Sequence, residues 1–514
     1  MEKFRLKQLK VRDNKIFQEA QFDFSQETDV FSDSSPYFTL IIGSNGTGKS
    51  ILLRMIIDIF RVAYQKQKKN EISYYPIGKY SLEYCLDDDY YTITNSRVLH
   101  SVHAESDGFS EEKDDKGIIC LKGGEEIDFK SLKFPNSILA LSIMLGDKYL
   151  FLDDPSTFPV YNYLGIRYGS NIARTQSHLN KTIEYVYDAI DKQPFIDCVS
   201  SLLSFLELDK TFLISYYPRY KHLFFKGTLK QEEFEDYFLN YKDHLHRETE
   251  PWSIAIYKKL KLKEPGIIPK LVSLLNFLSS RLEREYEGSR TKYFEFNIFD
   301  HEKFPLESLK LLRYLHKLDL ISYPGIGLMR GGNYYMANES SSGEYHFITS
   351  VLGLLAKIQD NSIVLIDEPE ISLHPNWQMK YMGFLNSIFK SYNTVHFIIC
   401  SHSHFLISDL DGDNSNIIGL KRENGKIETV KFPENINTYG WSAEDVLYRV
   451  FGVRTTRNYF MEIELRELLH LISEKSKNST QINGIINRLQ KVKLNEEDPL
   501  NLIIRQAKNY IDTL

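Results

Sequence analysis

The stretch IIGSNGTGKSILLRM, Ile41 to Met55, decides how the rest of the chain is read. The apolar run YFTLIIG (Tyr37–Gly43) ends in glycine and feeds a loop. SILLRMIIDIFRVAYQ then carries apolar residues at helical spacing with no glycine or proline. The loop, Gly43, Ser44, Asn45, Gly46, Thr47, Gly48, Lys49 and Ser50, fits the spacing G-x-x-x-x-G-K-[ST]. Strand, glycine loop and helix in this order predict a phosphate cradle. Glycines let backbone N–H groups converge on an anion, and a helix N-terminus favours negative charge. Lys49 is placed for β- and γ-phosphates and Ser50 Oγ for a metal, so ATP and Mg2+ are the expected ligands.

A phosphate cradle needs carboxylates at the end of another buried strand, and IVLIDEPE (Ile363–Glu370) supplies them more than 300 residues later. Asp367 is expected to complete the Mg2+ shell. Glu368 is expected to polarise the attacking water. Successive residues on a strand face opposite ways, so the two carboxylates take different roles.

Two further stretches refine the class. SSSGE opens a helix, and Ser341, Ser342, Gly343 and Glu344 at its N-terminus form a second candidate anion site. It does not easily reach a nucleotide held by its own loop, so it is expected to serve a second subunit. Ser341 and Glu344 also have the spacing of a capping box, the alternative reading. CSHSHF follows a buried run, and His402 is the candidate γ-phosphate contact; a core histidine is its alternative.

Composition bounds the possibilities. The 514 residues are 42% hydrophobic and 26% charged, long enough for two or three domains. With 63 Lys and Arg against 69 Asp and Glu, the net charge of −6 gives no global polybasic signal for nucleic acid or membrane. No apolar run approaches the roughly 18–20 residues of a spanning helix. The start, MEKFRLKQLKVRDNK, lacks the apolar stretch of a signal peptide. Cys85, Cys120, Cys198 and Cys400 are far apart and form no CxxC pair. A cytoplasmic protein with reduced thiols is the expectation.

Along the chain, alternation over the first 25 residues predicts a hairpin, and SLEYCL, YYTIT, GIICLKG and NSILALSIM read as strands. YNYLGIRYG (Tyr161–Gly169) reads as a loop. The expected organisation is α/β: residues 1–174 as the N-terminal half of an ATPase domain, 175–320 as a helical insertion, 321–439 as its C-terminal half, and 440–514 as a helical, partner-binding tail.

The order Gly43–Ser50, Ser341–Glu344, Asp367–Glu368, EISLHP (Glu370–Pro375) and His402 resembles the ABC-type ATPases of the SMC, RecF and OLD-like group. DEPEISLHP followed by SHSHFLIS is similar to their prokaryotic defence branch. LALSIMLGDKYLF (Leu139–Phe151) with YNYLGIRYG, and TYGWSAEDVLYRVFGV (Thr438–Val453), share that likeness. Within the branch the chain resembles the PtuA-type ATPases of Septu and retron-associated systems. The resemblance implies an ABC-type P-loop fold and a homodimer or higher oligomer. In that dimer, ATP lies between Gly43–Ser50 of one chain and Ser341–Glu344 of the other, with Ser372 and Leu373 in the facing loop. It also implies an HNH-type nuclease partner of the PtuB kind, antiviral defence, and in retrons a reverse transcriptase with its msDNA. Nucleic acid is then met through the complex. The chain departs from the family in two places. Ser340 and Ser342 stand where leucine and a second glycine are usual, and Ser142 stands where a glutamine is sought. Slow hydrolysis, with ATP holding a clamp, follows from those changes.

No nuclease is expected within this chain. Asp409, Asp411 and Asp413 in DLDGDN fail the calcium-loop pattern, since Asn414 and Leu420 stand where Gly and Glu are needed. His244 and His246 lack ligating partners in sequence. YYPRYKHLFFKGTLK (Tyr216–Lys230) interleaves aromatics with cations, as a nucleic-acid strip does or as a loop between helices does. Two other functions stay open: a DNA-repair ATPase that loads on DNA, and a non-hydrolysing scaffold locked by ATP.

Overall fold

The computed structural model describes residues 3–25, 35–69, 77–96, 117–169, 175–240, 251–264, 266–284, 292–300, 306–407, 412–423, 425–431, 459–474, 476–491 and 499–512, with a few isolated positions between them. His244, His246, Asp409, Asp411 and most of Thr438–Val453 lie outside the described residues.

The phosphate loop leaves β3 (Tyr37–Gly43) and enters α1 (Lys49–Lys69), as expected. β3 sits inside a seven-stranded sheet with β8 (Ser137–Ser142), β9 (Tyr161–Tyr163), β17 (Ser362–Asp367), β18 (His396–Ser401), β19 (Ser415–Glu423) and β20 (Lys426–Lys431), ordered β20-β19-β3-β18-β17-β8-β9. All neighbours are parallel except β19 and β20, which form an antiparallel hairpin. β3, β8, β17 and β18 are almost wholly buried, which is why they read as continuous apolar runs.

A second, antiparallel sheet contains β1 (Phe4–Asn14), β2 (Gln18–Asp23), β4 (Lys79–Leu86), β5 (Asp89–Thr94), β6 (Ile119–Lys122) and β7 (Glu125–Ile127), ordered β2-β1-β4-β5-β6-β7. α1 shares one hydrophobic core with both sheets. Covered on two sides, it buries residues nearly all round: Leu52, Leu53, Ile56, Ile57, Ile59 and Phe60 are each 0% exposed. At roughly 1.5–3 kcal/mol per buried large apolar side chain, this one helix ties the two sheets together.

The interval 175–320 is rich in helices: α2 (Thr175–Ala189), α3 (Gln193–Phe205), α4 (Lys221–Phe224), α5 (Gln231–Leu239), α6 (Trp252–Lys263), α7 (Ile267–Ser279) and α8 (Leu306–Lys317). It also contributes strands that the sequence reading missed. β12 (Phe212–Pro218), β13 (Glu283–Arg284) and β14 (Lys292–Asn297) join β15 (Ile321–Arg330) and β16 (Asn333–Met336) in an antiparallel sheet ordered β13-β14-β12-β15-β16. Within YNYLGIRYG, Tyr161–Tyr163 pairs as β9, and β10 (Arg167–Gly169) forms a small ribbon with β11 (Ile172–Ala173), where a loop was expected. In Tyr216–Lys230 the aromatics Tyr216 and Phe224 are buried, Arg219 pairs with Asp319 and Lys226 with Glu233. Those contacts favour the structural reading of that stretch.

α9 (Ser342–Lys357) and α10 (Pro375–Ile388) complete the first unit, which runs to Gly440. The second unit, Trp441–Leu514, holds α11 (Tyr459–Ser473), α12 (Ser479–Leu489) and α13 (Pro499–Asp512). These helices have their own core of Leu468, Ile482, Ile485, Leu489, Leu500 and Ile504, so those apolar residues serve first to fold the tail. All four cysteines are free. Among the described residues no helix is long and apolar enough to cross a membrane.

Candidate active site

The strand order brings the distant motifs together. β18 lies between β3 and β17, with Cys400 level with both Ile41 and Asp367, and Ser401 level with Ile42. The loop after β3, the carboxylates after β17 and the histidine after β18 therefore emerge side by side at the carboxyl ends of parallel strands, where α/β sheets bind ligands.

The loop is shaped by its glycines. Gly48 has φ +85°, and a Cβ there would meet the Phe17 ring at 2.8 Å. Only glycine satisfies both conditions. Lys49 turns its Nζ back under the loop, donating to the Gly43 carbonyl at 2.8 Å and lying 2.9 Å from His402 Nε2 and 3.3 Å from Nδ1. Burial holds its pKa below the usual lysine value, against the opposing pull of Cys400, Glu368 and Asp367. His402 Nε2 is 2.8 Å from Glu368 Oε1. With its proton on Nε2, the ring donates to Glu368 and leaves Nδ1 to accept from Lys49. The hydrogen bond from His402 holds Glu368 below the usual carboxylate range despite partial burial. Glu368 also takes a left-handed backbone, φ 50°, rare for a non-glycine residue and a form of strain met at functional sites.

Asp367 points elsewhere. It is 1% exposed, and Ser50 Oγ donates to its Oδ1 at 3.1 Å. Burial pushes its carboxyl up to about 7, partly countered by the Ser50 hydrogen bond. A hydroxyl and a carboxylate side by side fit a hard cation such as Mg2+, which takes oxygen ligands and keeps sites for phosphate and water. Among the described residues no group of three or more His, Cys, Asp or Glu could hold a metal, so an ion here would rely on non-protein ligands as well.

Two contributors had no role assigned from sequence. Glu370 Oε1 accepts from Ser401 Oγ at 2.8 Å, from the His402 N–H at 2.6 Å and from the Ser403 N–H at 3.1 Å, so it fixes the turn that carries His402. Arg422 on β19 donates to the Gly46 carbonyl at 2.6 Å. Behind β17, Asp147 gathers Arg167, Tyr163 Oη and the Tyr149 N–H, while Tyr149 Oη donates to the Leu365 carbonyl at 2.9 Å. Ser142, sought as the glutamine position, is buried at the end of β8, level with Asp367.

The other candidate anion site stands apart. Among the described residues no hydrogen bond or ion pair joins Ser341–Glu344 to Gly43–Ser50. Ser341 caps α9, accepting from the Glu344 N–H at 3.2 Å. That is half of a capping box. The Glu344 carboxylate instead accepts from Tyr335 Oη at 2.6 Å and Arg330 at 3.2 Å, which ties the helix start to β15 and β16. Ser341 and Ser342 are exposed, whereas Gly343 and Glu344 are buried. A Cβ on Gly343 would lie 2.1 Å from the Ser372 carbonyl oxygen, so the glycine permits contact with the loop after Glu368 in the same chain.

Among solved structures the chain is similar to the SMC head domain from Thermotoga maritima, at 12% identity over 84% of this chain and 99% of that one, TM-score 0.35. The Smc head domain with an extended coiled coil bound to the C-terminal domain of ScpA, from Pyrococcus furiosus, gives 12% identity over 88% and 100%, TM-score 0.32. The recombination mediator protein RecF-ATPrS gives 13% identity over 84% and 99%, TM-score 0.27. No curated protein matches the chain. The family model for the AAA ATPase domain matches residues 5–407, a span that contains the phosphate loop, both carboxylates and the histidine, and the chain belongs to that family.

Proposed function

We propose that this chain is the ATP-binding and ATP-hydrolysing subunit of an ABC-type dimer that controls a separate nuclease in antiviral defence. The observation that carries the ATPase reading is the chain Lys49–His402–Glu368, with Ser50–Asp367 beside it, at the end of three adjacent strands. Lys49 and the loop N–H groups bind the β- and γ-phosphates. Mg2+, when bound through Ser50 and Asp367, neutralises charge developing on phosphate oxygens. Glu368, kept ionised by His402, orients water and takes its proton, and His402 reports on the γ-phosphate. Ser341, Ser342 and Gly343 complete the site of a second protomer. That they are exposed, or lie beside exposed residues, and are unbonded to their own loop supports this arrangement.

The regulatory part rests on DEPEISLHP and SHSHFLIS, which resemble PtuA-type ATPases. It implies an HNH-type nuclease partner and, in a retron setting, a reverse transcriptase with msDNA. The test is Glu368→Gln in the full chain, alone and co-expressed with its genomic neighbours. ATP turnover should fall by about 10²–10⁴ while ATP binding persists, and control of the nuclease should change. Wild-type turnover in the variant would overturn the ATPase reading. Lost turnover with unchanged nuclease control would overturn the regulatory one. ATP-dependent DNA binding by the lone chain would mark a repair ATPase. Retained ATP without turnover in the wild type would mark a scaffold.

A further inference from the structure

A second concavity, of about 250 Å3, opens beside β9 at the edge of the main sheet. Phe151, Leu152 and Tyr185 form apolar and aromatic walls, and Tyr163, Arg167 and Lys181 line its polar side. The two cations differ in kind. Arg167 is neutralised by Asp147, donating to its two carboxylate oxygens at 3.0 and 2.5 Å. Lys181 Nζ donates to the Tyr163 carbonyl at 2.7 Å and lies 5.1 and 5.8 Å from the ring centroids of Tyr163 and Tyr185. Among the described residues no carboxylate pairs with it. The charge that bears on it is a second cation, Lys357, itself engaged with Asp188 at 2.9 Å. Burial and Lys357 together bring Lys181 down to about 8.

A desolvated ammonium without a counter-ion is costly unless a ligand supplies the anion. Phe151 and Tyr185 line the pocket beside it, Tyr185 also carrying Lys357 Nζ 4.8 Å from its ring centroid, so aromatic surface adjoins the cation, as planar rings require for stacking. The volume lies just under the roughly 300–1,000 Å3 of ordinary small-molecule sites, which limits the occupant to one small unit. We infer that this pocket binds a single nucleotide unit, its base against Phe151 and Tyr185 and its phosphate on Lys181. The inference is independent of the ATPase reading, because no glycine loop and none of Lys49, Ser50, Asp367 or Glu368 takes part. The unit has two possible sources, a free mononucleotide or the 5′ end of a nucleic-acid strand.

Equilibrium dialysis of the full chain with labelled dTMP, and separately with a 5′-phosphorylated oligothymidylate, tests this. Saturable binding is expected that survives Lys49→Ala, weakens about tenfold or more in Lys181→Met through loss of a charge-assisted contact, and is kept by Lys181→Arg. Thymidine alone and inorganic phosphate alone should each bind at least about tenfold more weakly, since each lacks one half of the recognition. Binding of dTMP marks a free nucleotide, and binding of the oligonucleotide alone marks a strand end. Tyr185→Ala, which removes a wall without touching charge, carries the test if Lys181→Met does not fold. Absence of saturable binding by either probe overturns the inference. So does wild-type affinity in the pocket variants, or loss of binding in Lys49→Ala.

Discussion

Glu370→Ala tests whether the position of His402 is built by a residue that never meets the nucleotide. One oxygen of Glu370 accepts three hydrogen bonds, from Ser401 Oγ, the His402 N–H and the Ser403 N–H. Bonds to a charged acceptor contribute about 1.5–3 kcal/mol each. They share one acceptor and are not additive, so their loss removes about 3–5 kcal/mol of local order from the turn after β18. The Ser403 N–H keeps a second acceptor in Ser401 Oγ at 2.8 Å, and the His402 N–H is left bare. His402 bridges Lys49 and Glu368, so its displacement reaches both. A misplacement of about 1 Å costs on the order of 10²-fold in rate. The expectation is a kcat about 10²-fold lower with the ATP dissociation constant changed less than about threefold. Steady-state turnover and equilibrium nucleotide binding on the full chain read the two separately. Glu370→Gln keeps the acceptor but puts an amide N–H2 where the second oxygen is buried without a hydrogen-bond partner, so its kcat should fall between the two. If Glu370 acts through His402, the double variant with His402→Ala should be no slower than His402→Ala alone. Turnover within twofold of wild type in Glu370→Ala, with His402→Ala inactive, would refute the reasoning.

Other expectations follow from single contacts. Gly343→Ala drives a Cβ into the Ser372 carbonyl, a backbone atom that cannot rotate away, and should cost about 1–3 kcal/mol; a lowered thermal midpoint and weaker ATP-dependent self-association check it. Asp147→Ala takes the carboxylate from the buried Arg167, whose Tyr149 carbonyl and Tyr163 Oη contacts carry no balancing charge, and strips Tyr163 Oη of its acceptor, so a loss of about 3–5 kcal/mol is expected in calorimetry. Asp367 has its carboxyl raised to about 7, so Mg2+ affinity should fall by up to about tenfold per pH unit below that value, as a proton competes for the oxygen. Titrations of Mg2+ from pH 6 to 8 read this, and Asp367→Asn should flatten the profile. Without metal the sign for stability follows from the same shift. The folded chain holds this proton more tightly than the unfolded chain, so stability from this group is full below about pH 4. It is lost as pH rises towards 7, by at most about 1.4 kcal/mol per unit.

The parts of the molecule legible in sequence are those whose signals are local. β3, α1 and β17 each declare themselves through apolar period and flanking glycine or acid, and their ends coincide with the loop and carboxylates that do the chemistry. The sheet of β12 to β16 was hidden for a physical reason. β15 contains Pro324 and Gly325, which argue against a strand, yet Gly325 pairs with Ser215 and Ser322 with Tyr217, and the irregularity between them takes up Tyr323 and Pro324. β9 is too short, at three residues, for alternation to register. Glu370 looks like one more acid in an acidic turn, and Arg422 like a hairpin charge. What gives each a role is a backbone group reached only through the tertiary fold. Glu344 was legible as a helix-start residue, but its carboxylate follows Tyr335 and Arg330 rather than its own cap.

The position of β3 has a consequence for how the chain is made. Both its sheet neighbours, β18 and β19, come from beyond residue 395, and Lys49 and His402 are 353 residues apart. At roughly 5–20 residues per second, about 20–70 s of synthesis separate the phosphate loop from its histidine. Through that interval the most apolar strand near the N-terminus has two open edges, a template for wrong pairing. Its early protection must come from α1 and the antiparallel sheet, whose strands are all complete by Ile127. The nascent chain is therefore most exposed to aggregation while residues 175–320 are being translated, and substitutions that slow folding of that interval should lower soluble yield without touching the finished site.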